Sequence, residues 1–197
     1  LQKSQENYYS FYRSYTMKRV FFLMALTISM NLMAGPWVFF DLGDTLIKKN
    51  DKGLYVYTQK SWEYLEWLVK KDYQLGIITN VPVSWGVTNE DRVKVLKDLV
   101  DDNWGDKKPM LWKAFKVILT PPKEELKKPH PHLFDKARKQ AGSCPPLFYG
   151  ENLSEVVQAT FSGFHSHKVD LRPKQPYFSV SYHRFLYKNR FKHLCKE

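Results

Sequence analysis

One stretch near the start of the chain decides the fold: Val38-Phe39-Phe40-Asp41-Leu42-Gly43-Asp44-Thr45-Leu46. Its first three residues are apolar and read as a buried strand, and the carboxylate of Asp41 follows them directly. An open α/β sheet places its chemistry at the carboxyl ends of its strands. The stretch therefore predicts a first strand with a functional aspartate at its end.

Further apolar runs along the chain are also followed by polar side chains. The later polar candidates are Thr79 and Asn80 after residues 75–78, Lys128 in a Lys-Pro-His-Pro loop, and Glu151 with Glu155 after residues 147–150. Strand patterns cover residues 38–40, 75–78, 115–119, 147–149 and 167–169, and they alternate with helical patterns at 61–70, 88–100, 131–141 and 153–161. This alternation predicts a Rossmann-like three-layer α/β/α sandwich around a mainly parallel five-stranded sheet.

In this order and context, the polar residues resemble the active-site motifs of the haloacid dehalogenase superfamily, from Trp37 to about residue 170. The usual activity of that superfamily is hydrolysis of phosphomonoesters through an aspartyl-phosphate. The resemblance implies that Asp41 is the nucleophile, that Thr79 and Asn80 bind the phosphoryl group, and that Lys128 orients it. Lys128 is preferred to its neighbour Lys127 because it directly precedes Pro-x-Pro.

The resemblance also implies a divalent metal, expected to be Mg²⁺, with Mn²⁺ or another ion as alternatives. Its ligands would be Asp41, the backbone carbonyl of Gly43, Glu151 and Glu155. Each glutamate stands where the family has an aspartate, and its extra carbon adds on the order of 1.5 Å of reach. Because Mg²⁺ requires near-ideal octahedral geometry, direct ligation could become water-mediated.

A second departure from the family pattern lies at Gly43. Most phosphatases of the family carry an aspartate there as general acid and base, and in this chain the carboxylate comes one residue later, at Asp44. Loss of a general acid lowers a rate by about 10²–10⁴-fold. Two functions therefore stay open: a metal-dependent phosphatase, and a catalytically inactive domain of the same fold that serves as a binding module.

We expect three regions: residues 1–34, a domain at 35–170 and a basic segment at 171–197. Residues 17–34 have a basic start, an apolar middle and a small residue at Ala34, which is typical of a signal peptide cleaved near that alanine. Export to the periplasm or the medium follows, with a membrane anchor over residues 20–34 as the alternative. Residues 1–16 precede a plausible initiator, Met17, and read as translated upstream sequence.

The remaining expectations concern partners and the C-terminal segment. Most of the net charge of +11 lies in the two ends of the chain, so the charge does not indicate specific nucleic-acid binding. We expect a monomer with a minimal cap, acting on a phosphorylated substrate. The basic segment is expected to be a helix that packs its aromatic side chains on the domain, or else one that contacts an acidic surface. Two cysteines, Cys144 and Cys195, are expected to be free thiols, with a disulfide between them as the alternative.

Overall fold

The computed structural model describes residues 36–169 and 178–186. Its strands are β1 (Trp37–Phe40), β2 (Ile47–Lys49), β3 (Tyr55–Tyr57), β4 (Gln74–Ile78), β5 (Phe115–Leu119), β6 (Leu147–Gly150) and β7 (His165–Lys168). Its α-helices are α1 (Ser61–Val69), α2 (Asn89–Asp102), α3 (His132–Gln140), α4 (Leu153–Phe161) and α5 (Val180–Leu186). The predicted signal peptide lies outside the described residues.

The main sheet has five parallel strands in the order β5-β4-β1-β6-β7, which confirms the predicted α/β fold. β1 is the central strand, and Phe40 is in register with Ile77 of β4 and Tyr149 of β6. The strand before Asp41 is thus hydrogen-bonded on both sides. Both faces of the strand are also covered by apolar side chains, which explains why β1 reads as a continuous apolar run instead of an alternating one.

The sheet has an apolar core on each face. Phe40 belongs to the core shared with α1 and α2, whereas Phe39 belongs to the core shared with α3 and α4. Both phenylalanines are fully buried. Burying an aromatic side chain of this size contributes about 1.5–3 kcal/mol, so β1 is anchored from both sides immediately before Asp41.

Most helix and strand boundaries agree with the predicted ones. Helix α2 begins with the predicted capping box, in which Thr88 and Asp91 each accept a backbone hydrogen bond from the other. The predicted position of the last strand is wrong, because β7 begins at His165 rather than His167. β7 is a polar edge strand, and the buried apolar residues Phe164 and Val169 lie just outside its two ends. The apolar residues in this region therefore lie on either side of the strand and not within it.

A small antiparallel β-hairpin, β2–β3, follows the loop after Asp41, and its tip contains Gly53 with φ of +75°. A loop between α2 and β5 packs against it. Tyr57 donates a hydrogen bond to the carbonyl of Pro109 and accepts one from the Leu111 N–H, and its ring packs edge-to-face on Trp104. The loop therefore fastens the hairpin to the domain.

Part of the segment that we separated as a basic tail belongs to the core. Phe178 is 4% exposed and stacks on Tyr64 at a centroid distance of 5.0 Å. His183 of α5 is fully buried and hydrogen-bonded through Nδ1 to the Tyr64 hydroxyl. The described part of this segment thus packs on the domain, which agrees with the first of our two expectations. The core therefore extends beyond the predicted boundary at residue 170. None of the helices in the described part of the chain is long and apolar enough to span a membrane.

The expectation of two free thiols was wrong for Cys144, which is disulfide-bonded. The chain contains one other cysteine, Cys195, which lies outside the described residues. Spacing in the sequence gave no basis for pairing two cysteines that stand 51 positions apart. Only folding decides whether such cysteines approach each other.

Candidate active site

The predicted site residues lie in four loops at one edge of the sheet. Asp41 follows β1, Thr79 and Asn80 follow β4, Lys128 lies between β5 and α3, and Glu151 follows β6. Glu155 lies in the first turn of α4, directly after that last loop. Because the strands are parallel, their carboxyl ends meet at this edge and bring together residues up to 114 positions apart.

Asp41 is held by its own backbone. Its N–H donates a hydrogen bond of 2.8 Å to the carbonyl of Tyr149, which extends the β1–β6 ladder by one residue beyond β1. The residue is 7% exposed, so its carboxylate lies at the floor of the site rather than in solvent. A carboxylate fixed in this way does not need to be ordered again when a substrate arrives.

Lys128 connects two of the carboxylates. Its ammonium lies 2.7 Å from Asp41 Oδ1 and 2.6 Å from Glu155 Oε2, and its side chain is 1% exposed. Burial by itself lowers the pKa of Lys128, but the charges of Asp41 and Glu155 outweigh it and the net direction is upward. Lys128 is therefore a permanent cation. The neighbouring Lys127 instead pairs with Glu124 at the surface.

Glu155 is held by Lys128. The residue is 7% exposed, and burial raises its pKa; the ammonium of Lys128 opposes this effect. Glu155, which was predicted as a metal ligand, has its Oε2 2.6 Å from the Lys128 ammonium in this structure. The direct-ligand role of Glu155 stays a prediction.

Glu151 lies against Asp41. Burial and the nearby charge of Asp41 raise the pKa of Glu151 to about 7. Thr45 holds this glutamate from both ends: its hydroxyl donates to Glu151 Oε2 at 2.8 Å and accepts from the Glu151 N–H at 3.1 Å. Sequence reasoning missed Thr45. The only signal was its place four residues after Asp41, and its partner lies 106 positions away.

Gly43 and Asp44 form the exposed part of the loop after β1. Asp44 has φ of +52°, in the left-handed region, whereas Gly43 is not among the residues with positive φ. A Cβ built on Gly43 would meet no atom within 4 Å. The glycine is therefore not required by the backbone, and the side chain missing from this position has room to fit.

Thr79 and Asn80 follow β4. The Thr79 N–H donates to the carbonyl of Leu119 at 3.1 Å and the residue is 5% exposed. The Asn80 side chain makes two hydrogen bonds to the backbone of Lys128, one at each end of its amide. Binding of phosphate by Thr79 and Asn80 stays a prediction, and the structure adds a contact from Asn80 that the sequence did not indicate.

The carboxylates of the site fit a divalent cation only if waters or substrate supply further ligands. No three His, Cys, Asp or Glu side chains in residues 36–169 and 178–186 are arranged to hold a metal by themselves. The site nevertheless has three carboxylates against one ammonium, which leaves a formal charge of −2 when all are ionised. Mg²⁺ is commonly held by one or two carboxylates together with waters and substrate phosphate. Asp41 and Glu151 are the pair that would hold it.

Comparisons with known proteins bear on the fold alone. No family model matches the chain, and no curated protein matches it. Among solved structures, an uncharacterized protein from Listeria monocytogenes serotype 4b aligns with a TM-score of 0.50 at 15% identity. That alignment covers 74% of this chain and 88% of the other.

Two further solved structures align at lower scores. A HAD family enzyme from Bacteroides thetaiotaomicron, in complex with magnesium and inorganic phosphate, has a TM-score of 0.49 at 13% identity, covering 69% of this chain and 94% of that one. D,D-heptose 1.7-bisphosphate phosphatase from B. bronchiseptica, complexed with magnesium and phosphate, has a TM-score of 0.46 at 12% identity, covering 66% and 78%. The alignment with the Listeria structure supports the α/β fold described above, with β1 at the centre of a parallel sheet in the order β5-β4-β1-β6-β7.

Proposed function

We propose that the protein is a metal-dependent phosphomonoester hydrolase that acts through an aspartyl-phosphate on Asp41. The observation that carries the proposal is the buried contact between Lys128 and Asp41 at the carboxyl edge of the sheet. A lysine ammonium in this place neutralises charge on a dianionic phosphate and on the carboxylate that attacks it. A purely structural ion pair would not need to lie at the open end of a parallel sheet.

In the proposed reaction, a carboxylate oxygen of Asp41 attacks phosphorus, and the bond from phosphorus to the ester oxygen breaks. Water then attacks the aspartyl-phosphate, releases inorganic phosphate and restores the Asp41 carboxylate. Lys128 and the hydroxyl of Thr79 hold the transferring oxygens. A divalent cation bound to Asp41 and Glu151 would supply charge neutralisation for the two anionic partners.

The protein supplies no acid at Gly43 to protonate the leaving oxygen. The departing group must therefore be stable as an anion or take its proton from water. We expect aryl phosphates, whose leaving groups are weak bases, to be cleaved faster than alkyl phosphates. A steep dependence of kcat/KM on leaving-group pKa would measure this deficit directly.

The experiment compares hydrolysis of a nitrophenyl phosphate in EDTA, in Mg²⁺ and in Mn²⁺, with Asp41→Asn as the matched control. We expect turnover only with a metal and only with Asp41 intact. Gly43 favours the second candidate function, a binding module without turnover. That outcome would appear as binding of inorganic phosphate by calorimetry with no hydrolysis of any ester.

We further propose that the mature protein is exported after cleavage near Ala34. The disulfide at Cys144 supports export, because disulfides persist in oxidising compartments and are rare in the cytosol. N-terminal sequencing of protein from the native host tests the proposal. A mature species that begins at or before Met17 would refute cleavage and favour the membrane-anchor alternative.

A further inference from the structure

We infer that Asn80 is a positioning residue, which sets the place of the Lys128 ammonium by clasping the backbone of Lys128. The clasp joins two loops of the site that are 48 positions apart in the sequence. Asn80 Oδ1 accepts a hydrogen bond of 2.8 Å from the Lys128 N–H, and Asn80 Nδ2 donates one of 3.0 Å to the Lys128 carbonyl.

These two bonds determine the orientation of the amide. A carboxamide has a donor end and an acceptor end, and only one of its two flipped states satisfies both the N–H and the carbonyl of Lys128. Asparagine is the shortest side chain that carries both groups. A serine offers a single atom, and an aspartate would place a carboxylate oxygen against a carbonyl oxygen.

Lys128 needs such a support because it lies in an irregular loop. The backbone bonds around it, from Lys127 to Glu124 and from His130 to Lys127, belong to turns on either side. Among the described residues, both backbone hydrogen bonds of Lys128 go to Asn80. The ladder of β4 holds the other side of the clasp, since Thr79 is bonded to Leu119.

The consequence is geometric. A lysine side chain has four rotatable bonds, and its ammonium reaches both Asp41 and Glu155 only when its Cα is held at the right distance. Misplacement by about 1 Å can lower a rate by about 10²-fold. Asn80 thus acts on the reaction through Lys128, whereas the sequence pattern assigned it a direct contact with phosphate.

Chemical footprinting tests the clasp without any assay of activity. The full-length protein is treated briefly with acetic anhydride, and acetylation of Lys128 is measured by mass spectrometry against Lys127, which is 32% exposed. In the wild-type protein, Lys128 should be strongly protected from acetylation because its side chain is 1% exposed. In Asn80→Ala, its acetylation should rise on the order of 10-fold, because loss of two hydrogen bonds favours local opening of the loop.

Asn50→Ala is the matched control, because Asn50 also holds two backbone N–H groups with its side chain, those of Lys52 and Leu54 in the hairpin turn. That variant should leave Lys128 protected. Asn80→Asp is the second variant: it keeps the acceptor for the Lys128 N–H but sets a carboxylate oxygen against the Lys128 carbonyl, so acetylation of Lys128 should also rise above that in the wild type. Equal protection of Lys128 in all four proteins would overturn the inference.

A kinetic arm rests on the proposed function. With an aryl phosphate, Asn80→Ala should lower kcat by about 10–100-fold with little change in KM, because positioning acts on the transition state. A rise in KM alone would make Asn80 a direct phosphate ligand and overturn the positioning role. If the wild type hydrolyses no ester, the proposed function fails, and the footprinting result still decides whether Asn80 holds Lys128.

Discussion

The ammonium of Lys128 lies 2.7 Å from the carboxylate of Asp41, and the lysine side chain is 1% exposed. The two residues stand 87 positions apart and reach each other because β1 is central and the loop after β5 folds back toward it. Glu155 contacts the same ammonium, so Asp41, Lys128 and Glu155 form one group, which we call the buried charge set. The stability and the chemistry of the protein should both depend on this set.

Replacing Asp41 by asparagine should abolish phosphatase activity without unfolding the protein. The substitution preserves volume and removes the nucleophile, so kcat should fall on the order of 10³-fold or more. Circular dichroism and thermal melting check the fold. Activity that survives in Asp41→Asn would come from a contaminant or another site, and the phosphatase proposal would then be abandoned.

Replacing Lys128 by methionine should destabilise the protein by about 3–5 kcal/mol, because two buried carboxylates lose their shared counter-charge. The loss should be larger at pH 8 than at pH 5, because burial raises the pKa of Glu155 and protonation of this carboxylate relieves the repulsion. Lys127→Met is the control, and it should change the unfolding free energy by less than about 1 kcal/mol because its pair is at the surface. Urea unfolding measures both. Equal effects of the two substitutions would contradict the buried charge set.

Restoring an aspartate at Gly43 should be tolerated and should raise activity. The position has no positive φ, and a Cβ placed there would have no atom within 4 Å, so Gly43→Asp should change stability by less than about 1 kcal/mol. A recovered general acid should increase kcat for alkyl phosphates by up to about 10²–10⁴-fold. Gly53→Ala is the contrasting variant, because φ of +75° makes a side chain there unfavourable. If Gly43→Asp leaves alkyl phosphates uncleaved, proton donation is not what limits the rate.

Replacing Phe178 by alanine should destabilise the domain by about 3–5 kcal/mol, because the ring is 4% exposed and packs on Phe40, Tyr64 and Tyr149. Chemical denaturation of Phe178→Ala gives the number. A change below about 1 kcal/mol would show that the segment does not contribute to the core in solution.

Acid should loosen the packing of α5 through His183. Burial lowers the pKa of His183 from its ordinary value near 6.5 to about 4. The unfolded chain takes up the proton first, so the contribution to stability is intact above pH 6.5 and is lost as the pH falls toward about 4, by roughly 3 kcal/mol in all.

Among the described residues, the groups that face His183 are Tyr64 and Trp67 of α1, Tyr73 from the loop before β4, and the guanidinium of Arg184, which lies over the Trp67 ring. None of these is an acid that would favour the imidazolium. Thermal melting between pH 4 and 8 measures the slope, and His183→Gln should remove most of it, whereas His130→Gln, at an exposed site, should not. A slope that persists in His183→Gln would show that other titrating groups cause it, among them His167, whose pKa burial also lowers.

The sequence by itself determined much of the fold, because local patterns of residues were enough to predict its strands and helices. The apolar run before Asp41, the capping box at Thr88 and Asp91, and the alternation of strands and helices were enough to predict a parallel sheet with Asp41 at its edge. These signals depend on periodicity and on the chemistry of a few neighbouring residues. For β7, the apolar residues lie outside the strand, and there the same signals misplaced it by two residues.

Only the tertiary structure decided which side chains meet. The sequence could place Thr45, Asn80, Glu155 and His183 along the chain, but it could not show that they pair with Glu151, Lys128 and Tyr64. Such contacts join residues that are between 27 and 119 positions apart. They form because the parallel sheet brings four loops to one edge and because burial selects the charge and hydrogen-bond partners that satisfy one another. Neither condition can be predicted from a local stretch of sequence.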